Sequence, residues 1–204
     1  MLELVCEDQP EIVCLQEVPV WGLARLEEWS AMRAFQVVAR TPRGPGRLGR
    51  LLTRLHHGFF RSAFIGQANA ILVAPALEAE DLGWTRISDR GREPRAAQAV
   101  RVGDRLVVAN FHASTDLFAA RVEVERARVF AEQLARPDEV VVLAGDFNLV
   151  SPSLDGYSEP APGIDQVLVR GAPVSDALIW PPARRERAGR LLSDHAPVEV
   201  TIEL

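Results

Sequence analysis

The chain has 204 residues, of which 48% are hydrophobic and 25% charged, and its formal net charge is -5. That length and balance fit one domain with a sizeable core and exclude a disordered or fibrous chain. The acidic balance excludes an overall pull toward nucleic acid or anionic membrane, so polyanion binding has to come from local patches.

All 23 basic residues are Arg, which we read as the mark of a GC-rich genome rather than of a site, although Arg suits phosphate recognition. Cys6 and Cys14 stand close enough in sequence to pair, but Cys14 falls in an apolar stretch and reads as a small core residue. No apolar run approaches the roughly 18 residues a membrane span requires. No leader with a basic start and apolar middle opens the chain. The expectation is a cytoplasmic monomer.

In chain order, residues 1–9 read as the end of a helix closed by Pro10, and Glu11 to Val18 as a strand ending in Gln16 and Glu17. A carboxylate at the end of a buried strand is costly to leave alone, which favours a cation or an Arg partner for Glu17. Trp21 to Met32 reads as an amphipathic helix with Trp21, Leu23, Leu26 and Trp29 inward. Phe35 to Ala39 is the next strand. From Arg40 to Arg61 the chain interleaves Arg with Gly and Pro, then adds His56, His57, Phe59 and Phe60. Such a loop suits a nucleic-acid backbone and its bases, or is simply a solvated loop with one helical turn over Leu48 to Leu55.

Ala68 to Val73 is an apolar strand carrying Asn69, and Glu78 to Asp81 reads as an acidic connection. Ala97 to Val102 and Leu106 to Phe111 form a hairpin about Gly103-Asp104, which brings Glu93 toward His112. Asn110, His112 and Ser114 make a polar cluster at the end of that second strand. Thr115 to Arg136 is the clearest helix, with Phe118, Val122, Ala127, Phe130 and Leu134 at helical spacing. Val140 to Leu143 is a strand apolar enough to be buried on both faces, and it ends in Gly145-Asp146-Phe147-Asn148. Alternation sets Asp146 and Asn148 on one side and turns Phe147 into the core. An acid and an amide so placed can hold a hard cation or a phosphate oxygen, and they can equally form a capped turn. Residues 151–163 read as an exposed loop, 163–169 as a strand carrying Asp165, and Arg184, Arg185, Arg187 and Arg190 as a second Arg-rich loop. The chain closes with Ser193-Asp194-His195 and a strand from Ala196 to Leu204.

Gln16-Glu17, Gly145-Asp146-Phe147-Asn148 and Ser193-Asp194-His195, in this order, resemble the motifs of the endonuclease/exonuclease/phosphatase superfamily. Ala68-Asn69-Ala70-Ile71-Leu72 and Ile164-Asp165-Gln166-Val167-Leu168 resemble two further strands of it. The resemblance implies an α/β fold in four layers, with two mostly antiparallel β-sheets packed face to face and helices outside. It implies a Mg²⁺ (or Mn²⁺) ion held by Glu17 with Asp194 nearby, Asp146 orienting the attacking water, and Asn148 on a non-bridging oxygen. It further implies that Asp165 orients His195, that Glu93 orients His112, and that Asn69 faces the site. We assign Asn110 and Ser193, from the same clusters, to substrate binding with Asn69. In the family a strand bearing an Asn precedes Glu11. The expectation is therefore a single domain over residues 1–204, N-terminally truncated relative to the family, whose gene start lies upstream.

Because that superfamily cleaves many phosphate esters, function must be argued from the site. The leading expectation is a metal-dependent phosphodiesterase, most simply a nuclease acting on nucleic acid. The alternatives are a phosphatase or phospholipid diesterase for small substrates, or a phosphate-binding module without turnover.

Overall fold

In a computed structural model, which describes residues 1–42 and 66–204, the chain forms two sheets packed face to face. The Arg-rich stretch from Arg43 to Arg61, with His56, His57, Phe59, Phe60 and the turn expected over Leu48 to Leu55, lies outside the described residues. The elements are helix α1 (Leu2–Val5), strand β1 (Ile12–Val18), a 3-10 segment (Val20–Arg25), helix α2 (Leu26–Ser30), and strands β2 (Arg33–Arg40) and β3 (Gln67–Val73). There follow β4 (Ala79–Arg86), β5 (Ala96–Val102), β6 (Leu106–His112), helix α3 (Leu117–Leu134), β7 (Val140–Asp146) and β8 (Asp165–Arg170). Short pairs complete the chain: β9 (Leu178–Ile179) with β12 (Val198–Glu199), and β10 (Glu186–Arg187) with β11 (Arg190–Leu191).

Among the described residues one sheet runs β1-β3-β2 and the other β4-β5-β6-β7-β8. All pairings within them are antiparallel except β6 with β7, which α3 connects. The expected four layers are present. Ile71, Val73, Val100, Val108, Val142 and Val169 fill the space between the sheets. Val107, Ala109, Phe111 and Leu143 meet α3 on the far side of the larger sheet, while Leu26, Met32, Ala68 and Leu72 pack beneath the smaller one. Because β6 and β7 present apolar side chains to both layers, period-2 alternation vanishes from their sequences.

Four expectations about elements change. Trp21 to Met32 is not one helix: its first half is 3-10, and α2 ends at Ala31, where φ is 56°. There Ser30 Oγ donates to the Leu26 carbonyl and accepts from Met32 N, the competition with backbone pairing that Ser brings to helix ends. The acidic connection is the start of β4, an edge strand whose exposed Glu80 and Asp81 and bulge at Asp81–Gly83 keep other strands off.

In α3, Phe118 and Val122 are exposed, and the buried stripe is Ala120, Val124, Ala127 and Ala131. Small side chains let the helix lie close to β6 and β7, and close approach outweighed bulk in choosing the face. The final strand shrinks to β12 plus one bridge, Ile202 to Val174. Cys14 is free, packs at the margin of the inter-sheet core, and has its thiol pushed up to about 12 by burial.

Candidate active site

Register builds the site. Across three neighbouring strands His112 is opposite Asp146, and Asp146 is opposite Asp165, so the three side chains form one lateral row on the face turned toward the smaller sheet. Gly145 makes the row possible. Its φ is 140°, and a Cβ there would sit 1.9 Å from the Phe111 carbonyl oxygen, so only glycine lets β7 approach β6 at this point. Phe147 leaves on the opposite face and packs on Phe111 at 4.6 Å between ring centroids.

His195 closes over the row from the C-terminal segment. Its Nδ1 lies 3.0 and 2.9 Å from the two Asp165 oxygens and 3.9 Å from Asp146 Oδ2. Arg185 holds the segment in place by donating through Nη1 to the carbonyls of Ser193 (2.9 Å), Asp194 (3.3 Å) and His195 (3.1 Å). Ser193 Oγ accepts from His195 N at 3.1 Å, which makes it a turn residue. On the other side of the row, His112 Nε2 is 3.4 Å from Asp146 Oδ2 and its Nδ1 is 4.0 Å from Glu17 Oε1. A register shift between Leu15 and Val18 and a left-handed φ of 55° turn Glu17 out toward the site, where Gln67 Nε2 donates to it at 2.9 Å.

Charges in the row are not equivalent. The hydrogen bond to Asp165, with the charges of Asp165, Asp146 and Asp194 behind it, pushes His195 up to about 9, so it is an imidazolium at neutral pH. Burial pushes Asp146 up to about 6, opposed by the Asn148 N–H that it accepts at 2.9 Å. His112 moves the other way, down to about 3, because it is buried and faces the charges of Arg95 and His195. It is a neutral imidazole, in contrast to His195.

Several predicted residues have other surroundings. Glu93 meets no histidine among the described residues; two guanidiniums, Arg40 at 2.8 Å and Arg95 at 3.4 Å, hold its carboxylate more strongly than a neutral imidazole does. Asn110 is fully buried, donating to the carbonyls of Leu15 (3.0 Å) and Ala70 (2.9 Å) and accepting from Gln16 (2.7 Å), so it ties the two sheets together beneath the site. Asn69 is 3% exposed and donates to the Ala96 carbonyl, a second tie between the sheets. Asn148 has a φ of 49° and gives its amide to the Ala113 carbonyl. In the second Arg-rich loop, Arg184 pairs with Asp8 and Glu199, stacks on Trp180 at 3.6 Å, and Arg187 meets Glu7. These two arginines, with Arg185, serve the fold. The sequence did not single out Arg95, or the hold of Arg185 on the His195 turn, since nothing in an Arg-rich composition marks one arginine from another.

Ligand atoms of Asp146, Asp165 and His195 all lie within 4.8 Å of one another, a group able to hold a metal ion, whereas Glu17 and Asp194 stand outside it. Its two carboxylates are hard oxygen donors suited to Mg²⁺ or Mn²⁺. The protonated ring of His195 suits an anion. A pocket of about 240 Å³ opens beside this group, lined by Gly163, Asp165, Ile179, Asp194 and His195 among others.

By comparison with known proteins, no curated protein matches this sequence. Solved structures do resemble it. A conserved protein of Enterococcus faecalis V583 superposes with a TM-score of 0.67 at 18% identity, over 99% of this chain and 91% of that one. TDP2 of Caenorhabditis elegans gives 0.64 at 17%, over 98% and 68%. A mannosyl-6-phosphatase of Bacteroides thetaiotaomicron VPI-5482 gives 0.65 at 16%, over 100% and 90%. At such identities these likenesses establish the fold alone. Residues 2–195 match the Endonuclease/Exonuclease/phosphatase family as a whole, and the chain therefore belongs to that family.

Proposed function

We propose that this protein is a divalent-metal-dependent hydrolase of phosphodiester bonds, with nucleic acid as its leading substrate. The observation that carries the reading is the joined set Asp146, Asp165 and His195, where two carboxylates and an imidazolium converge within 4.8 Å in a chain of this family. A phosphodiester resists attack because its oxygens are anionic and its leaving alkoxide is poor, so positive charge and placed protons are what a catalyst must supply. Asp146 and Asp165 would hold Mg²⁺ or Mn²⁺, with Glu17, the ligand implied by the family resemblance, across His112. The bound ion would supply neutralisation of charge developing on phosphate oxygens.

The remaining work falls to the chain. His195, fixed by Asp165, donates a hydrogen bond and a positive charge to the phosphate. Asp146, once ionised, accepts the proton of the attacking water. Neutral His112, between Glu17 and Asp146, orients that carboxylate, and Asn148 fixes its other oxygen through its backbone N–H. Ser193 and Asp194 keep the turn that carries His195. Mg²⁺ or Mn²⁺ is expected to support hydrolysis of bis(p-nitrophenyl) phosphate, and EDTA to abolish it.

A second reading, a phosphatase of small phosphate esters, is favoured by the size of the pocket beside His195 and by the activity named for the Bacteroides structure. Comparing turnover of plasmid DNA with that of a sugar phosphate separates the two.

A further inference from the structure

Beside the row stands a group of charges that the proposed chemistry does not use. Arg95 is 8% exposed, and its Nε has no hydrogen-bond partner among the described residues. Its Nη2 reaches Glu93 at 3.4 Å, while Arg40 reaches the same carboxylate at 2.8 Å. Arg33 and Arg185 also leave Nε without a partner among the described residues, but both are half-buried, whereas Arg95 is buried. Arg101, whose side chain is 11% exposed, bonds through Nε, Nη1 and Nη2 to Glu139, Glu80 and the Leu134 carbonyl. Arg95, at 10%, does not. An unpaired buried donor costs free energy, and a ligand that satisfies it recovers that cost on binding.

Two paths place this group at the site. Arg95 stands two residues before Ala97, which pairs with Phe111, the neighbour of His112, and the charge of Arg95 acts on that imidazole. Arg40 pairs across β2 and β3 with Gln67, whose amide holds Glu17, the carboxylate 4.0 Å from His112. Thus two guanidiniums converge beside the reacting row on a carboxylate that is 40% exposed.

We propose that Arg95 and Arg40 form an anion subsite flanking His112, which takes a second phosphate group of the substrate, and that Glu93 is its resident counter-ion, displaced when that phosphate arrives. The inference rests on the phosphate-ester reading and narrows it to substrates carrying a further phosphate close to the scissile one. A phosphate offers several acceptor oxygens to two planar forks, whereas Glu93 offers two and leaves Arg95 Nε without a partner.

The test is calorimetric titration of inorganic phosphate into the full, metal-free chain and into Arg95→Gln, Glu93→Gln and His195→Ala. Arg95→Gln is expected to weaken binding at least about tenfold, the lower end for a lost hydrogen bond to a charged group. Glu93→Gln is expected to tighten it, because the competing carboxylate is gone. His195→Ala should weaken it less than Arg95→Gln does. Phosphate affinity unchanged or weakened by Glu93→Gln overturns the proposal, as does loss of binding in His195→Ala alone. If Arg95→Gln fails to fold, Glu93→Gln, a change at a half-exposed side chain, still decides by the sign of its effect. The pattern needs no turnover, so a chain that binds phosphate in this way but hydrolyses no ester would refute the catalytic reading and keep the subsite.

Discussion

Asp146 and His195 oppose each other in protonation, and that opposition predicts the pH profile. Asp146 is ionised above about 6 and His195 is charged below about 9, so the active pairing of carboxylate and imidazolium spans the interval between them. Activity is expected to rise through the lower value and fall through the upper, and a cation near Asp146 moves the acid limb lower. Steady-state rates from pH 5 to 10 would check this. Substituting either residue by Ala should cost at least about a hundredfold in kcat/KM, the low end for general acid-base groups.

Stability follows the same shifts with opposite signs for the two histidines. His195 is raised from 6.5 to about 9, so its contribution is full below 6.5 and is lost as pH rises through 9. His112 is lowered from 6.5 to about 3, so its contribution is full above 6.5 and is lost as pH falls toward 3. Denaturant midpoints should therefore decline on both sides. His112→Gln, which has no ring to protonate, should flatten the acid side alone.

At the scale of elements, the close pairing of β6 and β7 is the part on which the site depends. Gly145→Ala would drive a Cβ to within 1.9 Å of the Phe111 carbonyl oxygen at a φ of 140°. We expect a loss of more than about 1 kcal/mol by urea unfolding, beyond the usual range for replacing a glycine of permissive conformation, and loss of the His112–Asp146 register with it. Arg185 acts on the turn that carries His195, so Arg185→Gln should lower the NMR-measured pKa of His195 and slow turnover, with added guanidinium restoring both. A side chain that only stabilised the fold would lower the melting temperature without moving that pKa.

These elements also show what the sequence reveals. β7 was legible because a wholly apolar run ending in Gly-Asp has one structural meaning in a buried sheet, and Asp165 with His195 followed from motif order. The exposed Phe118, the split helix over residues 20–30 and the edge strand β4 were not legible. In two of them the sheet outweighed local pattern: small alanines chose the face of α3, and edge position made acidic residues acceptable in a strand; α2 instead ended where Ser30 bonds its own neighbours, Leu26 and Met32. Glu93 was misread for a similar reason. The hairpin brings it near the site, but the guanidiniums that capture it come from β2 and from the residue before β5.

For the whole molecule, a net charge of -5 offers no long-range attraction to a polyanion. Recognition must then be local, and salt separates the two readings of function. Cleavage of DNA should weaken steeply between about 50 and 200 mM salt if several phosphates are contacted, while hydrolysis of bis(p-nitrophenyl) phosphate should change little. Flat salt dependence for both substrates would favour the small-ester reading.

The account stands or falls on hydrolysis of bis(p-nitrophenyl) phosphate by the 204-residue chain with Mg²⁺, Mn²⁺ or EDTA, run beside Asp146→Ala. We predict turnover that requires the added metal and is lost in the variant. Turnover that survives EDTA, or that Asp146→Ala leaves intact, would contradict the assignment of the Asp146, Asp165 and His195 row as a metal-assisted phosphoesterase centre.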